Sequence, residues 1–547
     1  MFLTHLILFI SLLTGMTSPD EPQKTVPFDW NNATVYFMLT DRFNNGDPNN
    51  DVNFGRADDA KKLRQFVGGD MKGITQKIEE GYFNQLGVDA LWFSPVNEQI
   101  HGAVDEGQGN TYAFHGYWIK DWTAIEPNWG TEEDLSELMK AAHAKNIRVL
   151  MDVIINHTGP VTKKDPVWPS DWVRTEPQCN YQGYESTIFC TLVKNLPDIR
   201  TDQTEEVEVP EALLQKWEKQ GKKQKELDEL NAFFARTGYP RTPRYYIIKW
   251  ITDYIRKFGI DGFRVDTVKH AEEGVWADLA KEAQIAFEEW KANHPEAIQE
   301  NQDFFMLAET YGYASNNGRI YDFGDKKVDY FTNGFDSQIN FGFKGDANKS
   351  YEELFSTYSH QLHKGDLKEV TFMNYVSSHD DSWPFDKERK RTFESATKLL
   401  LCPGQAQIYY GDEIARPLII DGAEGDVNLR SVMDWEDKSQ EELLKHWQKL
   451  GQFRQRHPSV GAGEHKMISQ EPYAFVRSYV KGNQNDRVII ALDVAKKAFQ
   501  LKVDEFYEDG VVLRDAYSYE YYPVKNGMIK IQSDSGVVLL ERVIHKK

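Results

Sequence analysis

Eight short apolar runs separated by longer amphipathic stretches constrain the fold of this chain more than any other feature. Each run has the length and composition of a buried β-strand, and the runs lie at 35–39, 90–94, 148–155, 262–266, 304–308, 335–340, 370–376 and 407–411. Amphipathic stretches predict helices at 70–86, 131–145, 243–258, 274–294, 351–362, 388–401 and 440–456. Strands that alternate with helices form a parallel sheet, so the sequence predicts an α/β fold, a (β/α)8 barrel.

Two parts of the chain depart from this alternation. About a hundred residues separate the third strand from the fourth, although connections in such units usually need only a few. We therefore expect an inserted subdomain at 158–239 between two parts of the barrel, 19–157 and 240–457, with a charged run that predicts a solvated helix. After residue 457, short alternating runs separated by Gly, Asn and Asp turns predict a C-terminal antiparallel β-sandwich at 458–547.

The N-terminus predicts the cellular location. An apolar run from Leu6 to Leu13 is too short to cross a bilayer, and small residues follow it, which is typical of a secretory signal peptide at 1–18. The basic residues that usually precede such a run are missing. No later segment is apolar enough to span a membrane, so we expect a secreted or periplasmic monomer without membrane insertion after signal removal.

The net charge disfavours some classes of binding partner, and the cysteines bear on the compartment in which the chain folds. A formal net charge of -21 disfavours binding to nucleic acid or to anionic membrane surfaces, because both would be repelled. Cys179 and Cys190 lie close together in a loop-rich region and could pair in an oxidising compartment. Cys402 lies in an apolar run and is expected to be a buried thiol.

Polar side chains gather where the predicted strands end. By itself, the pair formed by Arg264 and Asp266 would be interpreted as a structural ion pair. Other strand ends add further polar residues, which are Asp152, Asn156, His157, Glu309, His379 and Asp380. The carboxyl ends of parallel strands meet at one face of a barrel, and buried like charges repel each other unless catalysis uses them. This face is therefore the predicted active site.

The motifs at these strand ends resemble those of a known family. DVIINHTG (152–159), GFRVDTVKH (262–270), MLAET (306–310) and NYVSSHDD (374–381) look like the four signature regions of the α-amylase family of glycoside hydrolases (family 13). HGYW (115–118), LPDI (196–199) and IYYGDE (408–413) support the match. The order and spacing resemble most the secreted or periplasmic bacterial α-amylases.

The resemblance implies retaining hydrolysis of internal α-1,4-glucosidic bonds in starch, glycogen or maltodextrins. Asp266 would be the nucleophile, Glu309 the general acid and base, and Asp380 the third carboxylate, which binds and distorts the sugar. The residues implied in substrate binding are His115, Tyr117, His157, Arg264, Lys269, His270, His379, Asp426 and Arg430. Arg264 would also hold Asp266 ionised and aimed at the anomeric carbon.

The resemblance also implies one or two Ca²⁺ ions, which oxygen ligands of this kind suit. One set of ligands, between barrel and inserted subdomain, consists of Asn156, Asp198 and the carbonyl of His270. The other, in the loop NNGDPNND and the VGGD that follows it, consists of Asn45, Asp47, Asn50, Asp51, the carbonyl of Gly68 and Asp70. For this second set the alternative is an ordinary Asx-rich turn without metal.

Two alternative functions remain open. An α-glucan transglycosylase, such as a cyclodextrin or 4-α-glucanotransferase, would use the same catalytic residues and differ only in the acceptor. A catalytically inactive glucan-binding homologue belongs to another class, and it would require the loss of a catalytic carboxylate. None of Asp266, Glu309 and Asp380 is lost. The hypothesis of a neopullulanase or cyclomaltodextrinase is less favoured, since the chain has no room for the N-terminal domain of those enzymes.

Overall fold

Eight parallel strands form a closed barrel in the computed structural model, which describes residues 27–107, 109–297, 302–495 and 497–543. The strands are β1 Thr34–Met38, β2 Ala90–Phe93, β3 Arg148–Val153, β4 Gly262–Val265, β5 Phe305–Ala308, β6 Ser337–Asn340, β7 Thr371–Tyr375 and β8 Gln405–Tyr409. Each strand pairs with its neighbour in sequence, and β1 closes the ring against β8. The predicted barrel is confirmed, while the predicted signal peptide lies outside the described residues.

Helices surround the barrel where the amphipathic stretches predict them. Their bounds are Met71–Glu79, Glu132–Ala144, Pro243–Phe258, Glu273–Asn293, Tyr351–His363, Thr392–Leu400 and Glu441–Arg456. The stretch at 70–86 is not one helix, because Gly81 adopts φ 77° and separates the first helix from a short second one, Tyr82–Gln85. Glycine takes this left-handed conformation without the steric cost that other residues meet. No helix within the described ranges is long and apolar enough to cross a bilayer.

The long connection between β3 and β4 carries its own small elements. Val173–Arg174 pairs antiparallel with Asp198–Ile199, and a disulfide joins Cys179 to Cys190. The charged run forms two helices, Glu211–Lys219 and Lys223–Thr237. Each buries an apolar face, the first through Trp217 and the second through Phe233, so the run is not the single solvated helix of the prediction. These contacts fix the inserted segment against the barrel.

The C-terminal part is an antiparallel β domain with its own core, as predicted. Its strands form one sheet of eight, with bounds β9 Glu464–Gln470, β10 Tyr473–Lys481, β11 Gln484–Leu492, β12 Ala498–Lys502, β13 Val512–Asp515, β14 Tyr521–Lys525, β15 Met528–Gln532 and β16 Val537–Arg542. Their order across the sheet is β9-β10-β11-β16-β13-β14-β15-β12. None of the predicted catalytic residues lies in this domain.

A buried arginine links the first strand of the barrel to the last helix around it. The Asn32 side chain, just before β1, donates to the carbonyl oxygen of Arg454 at 2.8 Å, although the two residues are 422 positions apart. Arg454 Nε donates in return to the Asn32 carbonyl at 3.0 Å, and Nη1 donates to the carbonyls of Leu400 and Cys402. Arg454 is fully buried, so these carbonyls replace its hydration. We call this contact the Asn32–Arg454 clasp.

Candidate active site

One buried guanidinium organises the carboxyl end of the barrel. Arg264 lies on β4 opposite Asp152 of β3, and its Nη1 is 3.0 Å from Asp152 Oδ1 and 2.6 Å from Asp266 Oδ1. Its Nη2 is 3.9 Å from Oε2 of Glu309, the residue that follows β5. A single cation therefore faces carboxyl groups from three adjacent strands, which relieves the repulsion among them.

Asp152 is the innermost of these carboxyl groups and was not assigned a role from the sequence. It accepts hydrogen bonds from Trp92 Nε1 at 2.9 Å and from the Tyr117 hydroxyl at 2.8 Å, both on Oδ2. Burial raises the pKa of Asp152 to about 7, although the charge of Arg264 opposes this shift. Its position within the apolar run of β3 is the sequence signal that could have identified Asp152 as a buried functional carboxyl group. Asp152 holds Arg264 and Tyr117 in fixed positions.

Glu309 has the properties of a general acid. Its side chain is almost fully buried, and its Oε2 accepts a hydrogen bond from the backbone N–H of Thr267 at 2.7 Å. Burial raises the pKa of Glu309 to about 8, and the charge of Asp266 adds to this shift while Arg264 opposes it. A carboxyl group with such a pKa carries a proton at neutral pH and can give it to a leaving oxygen.

Asp380 lies beside two positively polarised groups. Its Oδ1 is 2.8 Å from Arg430 Nη2, and its Oδ2 is 3.0 Å from His379 Nε2. Arg430 also pairs with Asp426 and donates from Nε to the His379 carbonyl. Partial burial works to raise the pKa of Asp380, but His379 and Arg430 outweigh it and lower that pKa. With 49% of its side chain exposed, Asp380 is an accessible carboxylate.

The aromatic and histidine side chains nearby differ in what they can offer a sugar. The Tyr117 ring stacks on His379 at 5.1 Å between centroids, and His379 Nδ1 is buried without a hydrogen-bond partner among the described residues. His115 Nδ1 accepts from the Tyr117 backbone N–H. Because burial lowers the pKa of His115 well below its usual value, the ring is neutral and its Nε2 carries the proton. His115 and His379 can therefore bind sugar hydroxyls.

Two other predicted binding residues, His157 and His270, contact the protein itself. His157 Nδ1 is 3.2 Å from Asn156 Oδ1, and its Nε2 is 3.1 Å from the Tyr117 carbonyl oxygen. His270 Nδ1 is 2.9 Å from the Thr187 carbonyl oxygen, so its ring contacts the inserted segment. Burial lowers the pKa of His270 to about 4, which makes the ring neutral. These rings hold loops of the site in place.

Lys269 lies at the rim of the site. Its Nζ donates to the Tyr311 carbonyl at 3.1 Å and contacts the Tyr321 hydroxyl at 3.2 Å. Tyr311, two residues after Glu309, has 56% of its surface exposed. Lys269 thus remains close to the catalytic carboxyl groups without contacting them.

The ligands predicted for calcium between barrel and inserted segment lie together, but an arginine joins them. Asn156 Nδ2 donates to Asp198 Oδ1 and to the His270 carbonyl, both at 2.8 Å. Asp198 Oδ2 is 2.8 Å from Arg174 Nε, and Arg174 also pairs with Asp202. Asn156 thus turns its amide nitrogen toward the other oxygens of the set, and the Arg174 guanidinium supplies the positive charge beside Asp198 Oδ2, although these two atoms form no hydrogen bond. As arranged, these residues do not fit a calcium ion.

The predicted N-terminal calcium loop fits a cation better. Asn45 Nδ2 donates to Asp51 Oδ1 at 3.0 Å, and Asn50 Oδ1 is buried without a hydrogen-bond partner among the described residues. Gly68 has φ +97°, and a Cβ there would lie 2.6 Å from Asp51 Oδ1. Asn45 and Asp51 thus pack directly against Gly68, and the oxygen atoms of Asn50 and Asp51 are ligands of the kind that calcium prefers.

The other two members of this loop already have partners. Asp70 caps the helix Met71–Glu79 by accepting from the backbone N–H of Gly73, and it also accepts from that of Asp47. Asp47 forms an ion pair with Lys72 at 2.7 Å. Elsewhere in the described ranges, as here, no group of three or more His, Cys, Asp or Glu side chains is arranged to hold a metal ion.

The sequence is similar to those of several known proteins. It is 35% identical over 534 residues to the periplasmic alpha-amylase of Escherichia coli (strain K12), covering 86% of this chain and 73% of that protein. It is 26% identical to a cyclomaltodextrin glucanotransferase of Geobacillus stearothermophilus, covering 84% of this chain and 59% of that enzyme. The chain thus spans little more than half the length of the transferase.

Solved structures share the fold. An alpha-amylase from Anoxybacillus superimposes with a TM-score of 0.65 at 22% identity, and the match covers 95% of this chain and 100% of that one. The alpha-amylase of Geobacillus thermoleovorans, solved with acarbose, gives a TM-score of 0.67 at 20% identity with the same coverage.

The family assignment rests on sequence over most of the chain. The family model described as "Alpha amylase, catalytic domain" matches residues 37–458, a range that includes β2 to β8, the end of β1 and all three predicted catalytic carboxyl groups. The chain belongs to the α-amylase family of glycoside hydrolases.

Proposed function

We propose that this enzyme is an α-amylase that hydrolyses internal α-1,4-glucosidic bonds in starch, glycogen or maltodextrins with retention of configuration. The observation that carries the proposal is the arrangement of Asp266 and Glu309 against the Arg264 guanidinium. Retention requires two carboxyl groups close to each other on either side of the scissile bond, and adjacent barrel strands supply such a pair.

The first step breaks the glycosidic bond. Asp266 Oδ1 is held by Arg264, which leaves Oδ2 to attack the anomeric carbon. As the Oδ2–carbon bond forms, the bond from that carbon to the leaving oxygen breaks, and Glu309 transfers its proton to this oxygen. In the second step Glu309 takes a proton from water, the hydroxyl oxygen attacks the same carbon, and Asp266 is released as a carboxylate.

Asp380 and the residues around it favour the reacting conformation of the sugar. The negative charge of Asp380 lies on the accessible side of the site and stabilises the positive charge that develops on the ring in the transition state. Arg430 fixes the position of this carboxylate through the 2.8 Å contact to its Oδ1. His115 and His379 bind hydroxyl groups, and the ring of Tyr117 supplies a stacking surface.

Digestion of maltoheptaose and soluble starch, followed over time by chromatography, tests the proposal. Linear, shorter oligosaccharides from early time points support endo-hydrolysis. Asp266→Ala and Glu309→Gln should each lose several orders of magnitude in kcat/KM, whereas Asp504→Ala, an exposed carboxylate of the C-terminal domain, should retain the activity of the parent. Full activity of the Asp266 variant would refute the assignment of the nucleophile.

The same experiment separates the two alternatives. Cyclic or elongated products would support a glucanotransferase, which the similarity to the Geobacillus stearothermophilus transferase keeps open. Binding of maltoheptaose without any cleavage would support an inactive glucan-binding protein. We favour hydrolysis because the relative with 35% identity is an alpha-amylase.

We further infer that the protein acts outside the cytoplasm as a monomer and binds calcium through its N-terminal loop. The disulfide between Cys179 and Cys190 supports an oxidising compartment. The unpartnered Asn50 Oδ1 supports a cation ligated by Asn45, Asn50 and Asp51. Bound there, calcium would stabilise the loop by neutralising its carboxylates.

Sedimentation of the exported protein, with and without chelator, tests its assembly state.

A further inference from the structure

We propose that Trp383 is a stacking surface for a glucose unit of longer glucans, on the rim of the catalytic face. This inference rests on the function proposed above and identifies a residue that selects chain length. Trp383 has 81% of its surface exposed, whereas every other tryptophan of the chain is buried or half-buried. Leaving a large apolar ring in water is unfavourable, and a ligand that covers the ring would remove this cost.

The loop that carries Trp383 is held rigidly close to the catalytic carboxylates. Trp383 follows Asp380 by three residues, and its backbone N–H donates to Asp381 Oδ1 at 3.1 Å. Asp381 is buried, and its Oδ2 accepts from the Tyr375 hydroxyl at 2.7 Å and pairs with Lys344. Because this carboxylate fixes the backbone, the freedom lost when a sugar binds would be mainly that of the indole side chain itself.

Aromatic contacts link this loop to the neighbourhood of Glu309. Tyr375 contacts Phe341 with ring centroids 5.8 Å apart, and Phe341 contacts the exposed Tyr311 at 5.1 Å. These residues belong to the ends of β5, β6 and β7, which are neighbours in the barrel. Arg430, in contrast, follows β8. A glucan that is bound beside Arg430 and cleaved at Glu309 would continue toward this aromatic sector.

The chemistry of glucose suits such a surface. One face of the sugar ring presents C–H groups, which pack against the flat face of an aromatic ring, while the hydroxyl groups remain in water at the edge. A tryptophan offers the largest such face. Short oligosaccharides would be bound by the groups around Asp380 alone, and only longer chains would reach Trp383.

Kinetics with maltooligosaccharides of increasing length test the proposal. For Trp383→Ala we expect kcat/KM on maltoheptaose to fall on the order of tenfold, mostly through KM, with a much smaller fall on maltotetraose. Trp383→Phe should restore most of the loss because it retains an aromatic face. Tyr521→Ala, which removes another exposed ring in the C-terminal sheet, is the matched control and should change neither substrate.

Equal losses on all chain lengths, or no loss at all, would overturn the proposal. A binding experiment keeps this result separate from the proposed reaction. In a Glu309→Gln background, maltoheptaose should protect tryptophan fluorescence from quenching by acrylamide, and the additional Trp383→Phe exchange should remove the protected signal. Protection that persists after this exchange would also overturn the proposal. If the unmodified protein cleaves no glucan but shows this protection, the proposed function fails and the stacking site stands.

Discussion

Replacing Arg174 with methionine should destabilise the junction between the inserted segment and the barrel. Only 3% of the Asp198 side chain and 10% of the Arg174 side chain are exposed, so the pair is shielded from water. Removing one partner of a buried ion pair costs about 3–5 kcal/mol, because the remaining charge is left uncompensated. We expect about 3 kcal/mol, the lower limit, since Asn156 still donates to Asp198 Oδ1.

Urea unfolding in the presence of a chelator measures this effect. Arg174→Met should lower the free energy of unfolding by the amount given above, whereas Lys194→Met, which removes an exposed positive charge from the same segment, should leave it within about 0.5 kcal/mol. Adding Asp198→Asn to the Arg174 variant removes the uncompensated charge. The double variant should therefore be more stable than Arg174→Met, and the Asp198→Asn single variant completes the cycle that gives the coupling between the two side chains.

Calcium provides a second measurement on the same variants. If the guanidinium replaces a cation, the space it leaves in Arg174→Met is lined by oxygen atoms, and millimolar calcium should restore part of the lost stability. The calcium-dependent gain should be larger in this variant than in the unmodified protein. Arg174→Met with unchanged stability in the presence of chelator, or a double variant no more stable than Arg174→Met, would refute the reasoning.

Other predictions follow from the catalytic carboxyl groups, the N-terminal loop and the cysteines. Because the pKa of Glu309 is raised to about 8 and its protonated form is required, kcat/KM should be retained below that pH and fall above it; a basic limb near pH 5 would contradict this. Chelation should lower the melting temperature of the unmodified protein but not that of Asp51→Ala, whose loop can no longer hold the ion. Thiol titration should detect no group in the native protein, since Cys402 is buried, then one after denaturation and three after reduction of the disulfide.

The barrel could be predicted because local and global signals agree. Each strand is buried at nearly every position and most strands are apolar, as expected for a parallel sheet covered by helices, although β6 has the largely polar sequence SQIN. The helices carry recognisable ends. Thr131 and Asp134 form a capping box at the start of Glu132–Ala144, and Gly259 ends Pro243–Phe258 with φ 74°. The break at Gly81 was missed, because a single glycine within an amphipathic stretch is compatible with a continuous helix.

The candidate site could be predicted only where its residues belong to motifs. Asp266, Glu309 and Asp380 each follow a strand, so strand order alone brings them to one face. Arg174 belongs to no recognisable motif. It meets Asp198 only because two short strands pair with each other, and these two residues are 24 positions apart in the sequence. The exposure of Trp383 likewise depends on how its loop is held. Contacts between residues that only the tertiary structure brings together cannot be predicted from a single sequence.

The Asn32–Arg454 clasp has a consequence for how the chain is made. β1 is among the first segments to leave the ribosome, but its partner β8 and the arginine that fastens the ring emerge only after most of the chain has been synthesised. Until then the barrel has open edges, which cannot be satisfied locally and favour slow, late folding. The ring of strands can therefore close only after the last third of the chain has begun to emerge, which makes closure a late event in folding.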